Sequence, residues 1–160
     1  MNRTFAACIL FVVVATCAQT NNDILGEWTL KSWSVGSEST LVNNNKQSTN
    51  LLDITTCNNS EVLTVKANNT IGATNTFNPN IKISKGENGY LVTEVCTKGS
   101  LGFSNSFKLI DNKLVLDIGD SYIIKEDSLS RTFKNYIKVY NSDFTQVIER
   151  KDLILVYIRR

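Results

Sequence analysis

The stretch LGEWTLKSWS, Leu25–Ser34, contains both tryptophans of the chain within a run that is typical of a β-strand. Trp28 and Trp33 are an odd number of positions apart, so in a regular strand their side chains point to opposite faces. A bulge or bend near Ser32 would turn both tryptophans toward the interior. Without such a bulge, Trp33 would lie on the exterior beneath a loop, and the sequence leaves its direction open.

The residues before this strand have the features of an export signal. A short basic head, MNR, is followed by the apolar run FAACILFVVVA, Phe5–Ala15, and then by small residues suited to cleavage. The run is shorter than the roughly 20 apolar residues that span a bilayer. We therefore predict that residues 1–18 are removed and that 19–160 form a secreted, extracytoplasmic domain. Alternatively, VATC resembles a lipobox, in which case Cys17 would be lipidated and the protein would be a membrane-anchored lipoprotein.

Two cysteines, Cys57 and Cys96, belong to the folded domain, because Cys8 lies inside the signal and Cys17 is either removed or lipidated. An even number of cysteines in an oxidising compartment predicts a disulfide between them. The bond would close a loop of about 40 residues and stabilise the fold by roughly 3 to 4 kcal/mol in the chain-entropy model. A redox-active or metal-binding pair is disfavoured by the wide separation and by the absence of histidine from the chain.

Short segments rich in β-branched and aromatic residues follow one another along the whole domain. Turn-forming sequences, KGENG, DNK, IGDS and RKD, separate several of them, and apolar spacing typical of helices is confined to short ambiguous stretches. We predict an all-β domain, either an antiparallel sandwich or an up-and-down barrel of about 8 to 10 strands. The predicted strands are Glu27–Val35, Glu61–Ala67, Ile81–Ser84, Gly89–Thr97, Ser106–Ile110, Lys113–Ile118, Ser121–Glu126, Asn135–Tyr140, Thr145–Glu149 and Leu153–Arg160.

One connection, the polar and Asn-rich segment Gly36–Asn50, is too long for a hairpin turn. Long connections in compact domains are either surface loops without regular structure or functional segments such as lids. Both interpretations stay open: a disordered surface loop, or a lid over the mouth of a barrel.

The charges and side-chain types argue against several function classes. Seventeen Lys and Arg residues against fifteen Asp and Glu give no clustered positive charge of the kind that binds nucleic acid. Without histidine, the chain lacks His-dependent catalytic triads and most zinc sites. Asp117 and Asp120 lack the spacing of a calcium loop and are typical of a turn. We expect no catalytic residues, no metal and no cofactor, so the protein is not expected to be an enzyme.

Two acceptor sequons, at Asn58 and Asn68, would be glycosylated only if the source modifies its secreted proteins. Such sequons arise readily by chance in a chain rich in asparagine. The sequence therefore leaves their use open.

Three features at the two ends of the domain resemble the lipocalins. Gly26-Glu27-Trp28 has the Gly-x-Trp form that opens the first strand in that family, and Ser142-Asp143-Phe144 is similar to the Thr-Asp-Tyr loop before its penultimate strand. The terminal pair Arg159-Arg160 stands where the family carries an arginine that packs over the signature tryptophan. A cytosolic fatty-acid-binding protein, which shares Gly-x-Trp, is disfavoured by the export signal and the cysteine pair.

The resemblance implies a single up-and-down barrel whose narrow end is closed by Gly26, Trp28 and a stacked arginine. A guanidinium on a tryptophan face contributes about 0.5 to 2 kcal/mol, depending on burial. Strand register decides which of the two terminal arginines points inward. Arg159 is favoured because it shares a face with Leu153, Leu155 and Tyr157.

The function implied by the resemblance is that of a secreted binding protein for a small hydrophobic ligand held in the barrel. The candidate ligand-lining residues are aromatic: Trp33, Phe103, Phe107 and Tyr122. The alternative is a structural or protein-interaction barrel with no small-molecule ligand, belonging to an exported protein or lipoprotein. We expect a monomer that binds no nucleic acid and contacts a membrane only if Cys17 is lipidated.

Overall fold

The computed structural model describes residues 21–99 and 101–160. The predicted signal and the alternative lipidation site, Cys17, lie outside these described residues. Within them, no helix has the length and apolar character needed to cross a membrane.

The described chain is almost entirely β-structure, with two short 3₁₀-helices at Asn21–Ile24 and Leu51–Asp53. The strands are β1 (Gly26–Val35), β2 (Leu41–Asn43), β3 (Lys46–Ser48), β4 (Val62–Lys66), β5 (Thr70–Ala73), β6 (Asn80–Gly86), β7 (Gly89–Val95), β8 (Phe103–Ile110), β9 (Lys113–Leu116), β10 (Ser121–Lys125), β11 (Ser128–Tyr140) and β12 (Val147–Arg159).

Eight of these strands form a closed antiparallel barrel in the order β1-β4-β5-β8-β9-β10-β11-β12, with β12 returning to β1. Neighbours around the barrel follow each other along the chain, apart from two excursions that contain β2–β3 and β6–β7. The prediction of an all-β, up-and-down antiparallel barrel is therefore confirmed, and the architecture is compatible with a calycin-like fold.

The two excursions form a side sheet next to the barrel. Strand β6 pairs in parallel with the far end of β11, β7 pairs with β6, and β2 and β3 complete the edge. The segment Gly36–Asn50 contributes β2 and β3 and buries Leu41, so the interpretation of a disordered surface loop is wrong. Two adjacent apolar residues, Leu41 and Val42, in a polar segment give little strand signal, and the pairing with β7 supplies the order.

The sheet encloses two hydrophobic cores rather than one. The barrel core includes Trp28, Leu30, Leu63, Ile71, Phe107, Leu114, Tyr122, Leu129 and Tyr157. The side core includes Trp33, Val35, Leu41, Leu51, Ile83, Val92, Ile137, Val139 and Leu153. Leu155 packs against both cores, so β12 passes from one to the other.

Strand β1 serves both cores because its register against β12 shifts between Leu30 and Ser32. The extra residue of this bulge changes the phase of the side chains, so that Trp28 and Trp33 are both buried. Asn50 fixes the second half of the strand, since its side-chain oxygen accepts a hydrogen bond from the Trp33 backbone N–H at 2.9 Å. The direction of Trp33, which the sequence left open, is inward.

The final hairpin differs from the prediction. The predicted segments Thr145–Glu149 and Leu153–Arg160 fall largely on one strand, Val147–Arg159, and RKD is not a turn. The Asp152 carboxylate instead accepts hydrogen bonds from the Asn135 backbone N–H at 2.9 Å and from Lys134 Nζ at 2.6 Å. The charged residues of RKD lie beside a bulge in β11. Their polarity led to the prediction of a turn.

A consequence of this single strand is that Ser142-Asp143-Phe144 precedes the last strand, not the penultimate one. Strand β11 begins at Ser128, earlier than the predicted Asn135. Its first half was not predicted because it contains Ser, Arg and Thr and gives a weak apolar signal. Strand β5 was not predicted at all, since its four residues follow a turn and include Gly72.

Candidate functional site

One end of the barrel is closed by Trp28, and we call it the Trp28 end. The indole is fully buried, and its Nε1–H donates to the Ile24 carbonyl at 3.1 Å. The Arg159 guanidinium carbon lies 4.7 Å from the centre of the Trp28 ring, and Arg159 Nη1 donates to the Leu25 carbonyl at 3.2 Å. The guanidinium therefore stacks on the indole while the backbone before β1 holds it in place.

The neighbouring residues explain why Arg159 occupies this position. Register pairs Arg159 with Trp28, whereas Arg160 turns away and bonds to Glu27 at 2.9 Å. Gly26 has a φ of +122°, a conformation that side-chain-bearing residues rarely adopt, so the turn into β1 favours glycine.

The opposite end of the barrel contains a cavity of about 600 Å³, and we call it the cavity end. The cavity lies where β1 and β5 end and where β4, β8 and β10 begin, between the barrel core and the side core. Most lining residues are aromatic or aliphatic, and the polar ones are Glu61, Thr76, Asn78, Asn80, Thr97 and Arg131. The aromatic lining residues are Trp33, Phe77, Phe103, Tyr122, Phe133, Tyr136 and Tyr157.

Of the four predicted lining residues, Trp33, Phe103 and Tyr122 line this cavity. Phe107 does not, because it is buried in the barrel core opposite Leu116. The segment predicted as a candidate lid, 36–50, contributes none of the lining residues and instead covers the side core.

A buried carboxyl, that of Glu61, faces the cavity with only 4% of the residue exposed. Its two oxygens accept hydrogen bonds from the Tyr157 hydroxyl and from the Phe77 backbone N–H, both at 2.8 Å. Burial raises the pKa of Glu61, and the two hydrogen bonds partly oppose that rise. Burial, together with the nearby Glu61, also raises the pKa of Tyr157, so the tyrosine stays protonated and donates.

The second polar group in the wall is Arg131, which packs over the Phe133 ring at 4.2 Å and the Tyr122 ring at 5.3 Å. Its Nη1 donates to the Tyr122 hydroxyl at 3.3 Å, and its Nη2 forms an ion pair with Asp120. In the part of the chain that the structure describes, Arg131 Nε is buried and has no hydrogen-bond acceptor. The guanidinium is thus neutralised by one carboxylate but not saturated with acceptors.

Sequence reasoning missed both polar residues. Glu61 is in phase with the buried Leu63 and Val65 of β4, and an acidic residue on the apolar face of a strand was a usable signal. Arg131 lies in the first half of β11, which was not recognised as a strand. Leu129 and Phe133 flank Arg131 at two-residue spacing, and this short alternation was the usable signal that its side chain shares their face.

The rim of the cavity carries exposed apolar side chains. Leu101 and Tyr136 line the cavity but are 57% and 62% exposed. Tyr136 belongs to the bulge in β11 and contacts Phe133, with ring centres 5.5 Å apart. The Leu101 carbonyl accepts hydrogen bonds from the Thr76 N–H at 2.8 Å and from the Thr76 hydroxyl at 2.9 Å.

The predicted disulfide between Cys57 and Cys96 is present, with the two Cα atoms 5.3 Å apart. It joins the segment before β4 to the end of β7, next to the rim. Thr97, which follows Cys96, lines the cavity and donates from its hydroxyl to the Asn78 carbonyl at 2.8 Å. The bond therefore ties together the connections from which part of the rim is built.

The cavity can bind an apolar molecule noncovalently, because it surrounds the molecule and presents a few hydrogen-bonding groups on one wall. Among residues 21–99 and 101–160, no group of three or more Cys, Asp or Glu side chains could hold a metal ion. Asp120, one of the two acidic residues assigned to a turn, is the partner of Arg131.

Comparison with known proteins gives no match to a family model, to a curated protein or to a solved structure. The functional interpretation therefore rests on the geometry of the cavity and on the residues that line it.

Proposed function

We propose that this chain is an exported, lipocalin-like protein that binds a small hydrophobic ligand at the cavity end of its barrel. The observation that carries the proposal is the cavity itself. Its volume, about 600 Å³, falls within the range of roughly 300 to 1,000 Å³ that is usual for small-molecule pockets. Its lining combines aromatic and aliphatic side chains with polar residues, and hydrophobic walls with polar groups that fix orientation are typical of such pockets.

The closed end of the barrel supports the lipocalin-like part of the proposal. Gly26 opens β1, Trp28 fills the barrel behind it, and Arg159 stacks on the indole, which is the arrangement that the family resemblance implies. Because the barrel core is filled by side chains at this end, the ligand lies at the mouth of the barrel between the two cores. The disulfide supports an extracytoplasmic location, where such bonds persist.

We test this proposal with a neutral apolar fluorophore, N-phenyl-1-naphthylamine, titrated into the purified domain. Saturable one-to-one binding that changes Trp33 emission is expected, since Trp33 lines the cavity. A Trp28→Phe variant, with Trp33 as its sole tryptophan, isolates that signal. Absence of saturable binding, with an unfolding midpoint unchanged by apolar ligands, would contradict the proposal.

Two phenylalanines of β8 provide a matched control. Phe103 lines the cavity, whereas Phe107 is packed in the barrel core. Phe103→Leu is expected to weaken fluorophore binding several-fold with a small loss of stability. Phe107→Leu is expected to lower stability and to leave the dissociation constant unchanged. The reverse pattern would mean that the fluorophore binds elsewhere.

A second candidate function is favoured by the exposed apolar side chains of Leu101 and Tyr136 at the rim. Such exposed side chains occur at surfaces that contact other proteins. In this interpretation the barrel is an interaction domain of an exported protein and has no small-molecule ligand. Replacing both residues with serine would then abolish contact with the partner, whereas under the first proposal it mainly changes access to the cavity.

A further inference from the structure

We propose that the ligand is an uncharged, mostly apolar molecule with one hydrogen-bond acceptor, such as a hydroxyl or carbonyl oxygen, which it presents to Tyr122 and Arg131. This inference rests on the proposed function and specifies the chemistry of the same cavity. It is carried by two hydrogen-bond donors that lack acceptors and by the balance of charges around them.

The two donors are adjacent. The Tyr122 hydroxyl accepts a hydrogen bond from Arg131 Nη1 at 3.3 Å, and among the described residues its own proton has no acceptor. Arg131 Nε is likewise without an acceptor in that part of the chain. Burial raises the pKa of Tyr122, so its hydroxyl keeps the proton that it can donate. Buried donors are normally satisfied, so an acceptor from outside the chain completes this pair, and a ligand oxygen can take the place of a water there.

The charges around these donors disfavour an anionic ligand. Asp120 already pairs with Arg131 and neutralises it. Glu61 lies one side chain further along the same wall. The Tyr157 hydroxyl donates to Glu61, and the centres of the Tyr157 and Tyr122 rings are 6.0 Å apart. A ligand carboxylate would add negative charge beside two protein carboxyl groups, and a neutral oxygen would not.

The apolar part of the ligand faces the other wall. Trp33, Ile137 and Leu153 belong to the side core and line the cavity without presenting charged groups. Tyr122 and Arg131 lie on β10 and β11 on the barrel side. The ligand is therefore oriented with its acceptor toward the barrel and its hydrocarbon toward the side core.

The test compares three molecules that share one skeleton: heptylbenzene, 7-phenylheptan-1-ol and 7-phenylheptanoate. The second carries a neutral oxygen and the third a carboxylate at the same end of the chain. In competition with N-phenyl-1-naphthylamine at neutral pH, the alcohol is expected to bind about tenfold more tightly than either of the others, the fold-change of about one good hydrogen bond.

Two variants assign this preference to the named residues. Tyr122→Phe removes one donor, so it is expected to weaken binding of the alcohol and to leave heptylbenzene unchanged. Asp120→Asn removes the charge that balances Arg131, so it is expected to improve binding of 7-phenylheptanoate about tenfold. Retained binding of heptylbenzene reports that each variant keeps its cavity.

The outcomes separate this inference from the proposed function. Equal binding of all three molecules, or tighter binding of 7-phenylheptanoate by the unmodified protein, would overturn the inference while leaving a hydrophobic ligand in place. Failure of all three, together with the fluorophore, would overturn the proposed function and the inference with it.

Discussion

The two tryptophans of β1 show how differently the two ends of one strand are used. Trp28 is enclosed on all sides, with a hydrogen bond to Ile24 and a guanidinium over its ring. Trp33 is nearly as buried, but one part of it borders the cavity. Burial alone therefore does not distinguish a residue that fills a core from one that contacts a ligand. The two are distinguished by whether the side chain borders other side chains or the cavity.

The largest expected effect comes from removing the indole at the Trp28 end. Trp28→Ala should lower the free energy of unfolding by about 3 to 5 kcal/mol, because it leaves a cavity in a filled core. Trp33→Ala should cost less, since the indole already adjoins empty space, but it should weaken fluorophore binding. Denaturant titration of both variants measures the difference. Equal losses would show that the two ends are packed alike.

Removal of the disulfide examines how the rim at the cavity end keeps its shape. Replacing Cys57 and Cys96 with alanine should lower the free energy of unfolding by roughly 3 to 4 kcal/mol. Because the bond adjoins the rim, binding of N-phenyl-1-naphthylamine should also weaken. Trp28→Phe, a substitution at the other end, is the control and should leave binding unchanged. Loss of stability with unaltered binding would mean that the rim holds its shape without the bond.

A smaller effect is expected for the arginine that stacks on Trp28. Arg159→Ala should lower the free energy of unfolding by about 1 kcal/mol, since it removes a partly exposed cation–π contact and a hydrogen bond to Leu25. Arg160→Ala is the matched control, because its ion pair with Glu27 is exposed and such pairs contribute about 0 to 1 kcal/mol. Thermal unfolding of the two variants should rank them in that order, and a reversed rank would exclude the stacking role.

The mildest test concerns the pH dependence of stability at the cavity end. Since burial raises the pKa of Glu61 in the folded state, the unfolded chain releases this proton at lower pH than the folded chain does. The contribution of Glu61 to stability therefore falls as pH rises from the ordinary carboxyl pKa to the raised one. Glu61→Gln should remove this fall, which shows in denaturant titrations across that interval. An unchanged slope would mean that Glu61 titrates normally.

Much of the fold was predictable because period-two patterns identify strands that are apolar on one face. The pattern of Lys113–Leu116 and of Ser121–Lys125 is of this kind, and both strands were recognised. The first half of β11 and the segment 36–50 were not, because both are mostly polar. A short hairpin holds each on one side, β10–β11 and β2–β3, and a distant strand, β12 or β7, pairs with each on the other. Local sequence contains no record of the pairing with β12 and β7.

The candidate site was less predictable than the fold. Aromatic residues pointed to Trp33, Phe103 and Tyr122, yet the same reasoning selected Phe107, since spacing does not reveal which part of a barrel is filled. Arg131 meets Tyr122 and Asp120 only after β10 and β11 pair. Such a contact depends on the register between the two strands. Hydrophobic patterning shows which face of a strand is buried, but it does not show which residues lie opposite each other.

Strands β1, β11 and β12 each run through both cores, and Leu155 contacts both. A side core built on the extensions of barrel strands has no boundary at which one part could come apart and leave the other intact. We therefore expect a single cooperative unfolding transition rather than two. Backbone amides of β12 near Leu155 should exchange with solvent only through global opening, which would make this strand the slowest-exchanging segment of the molecule.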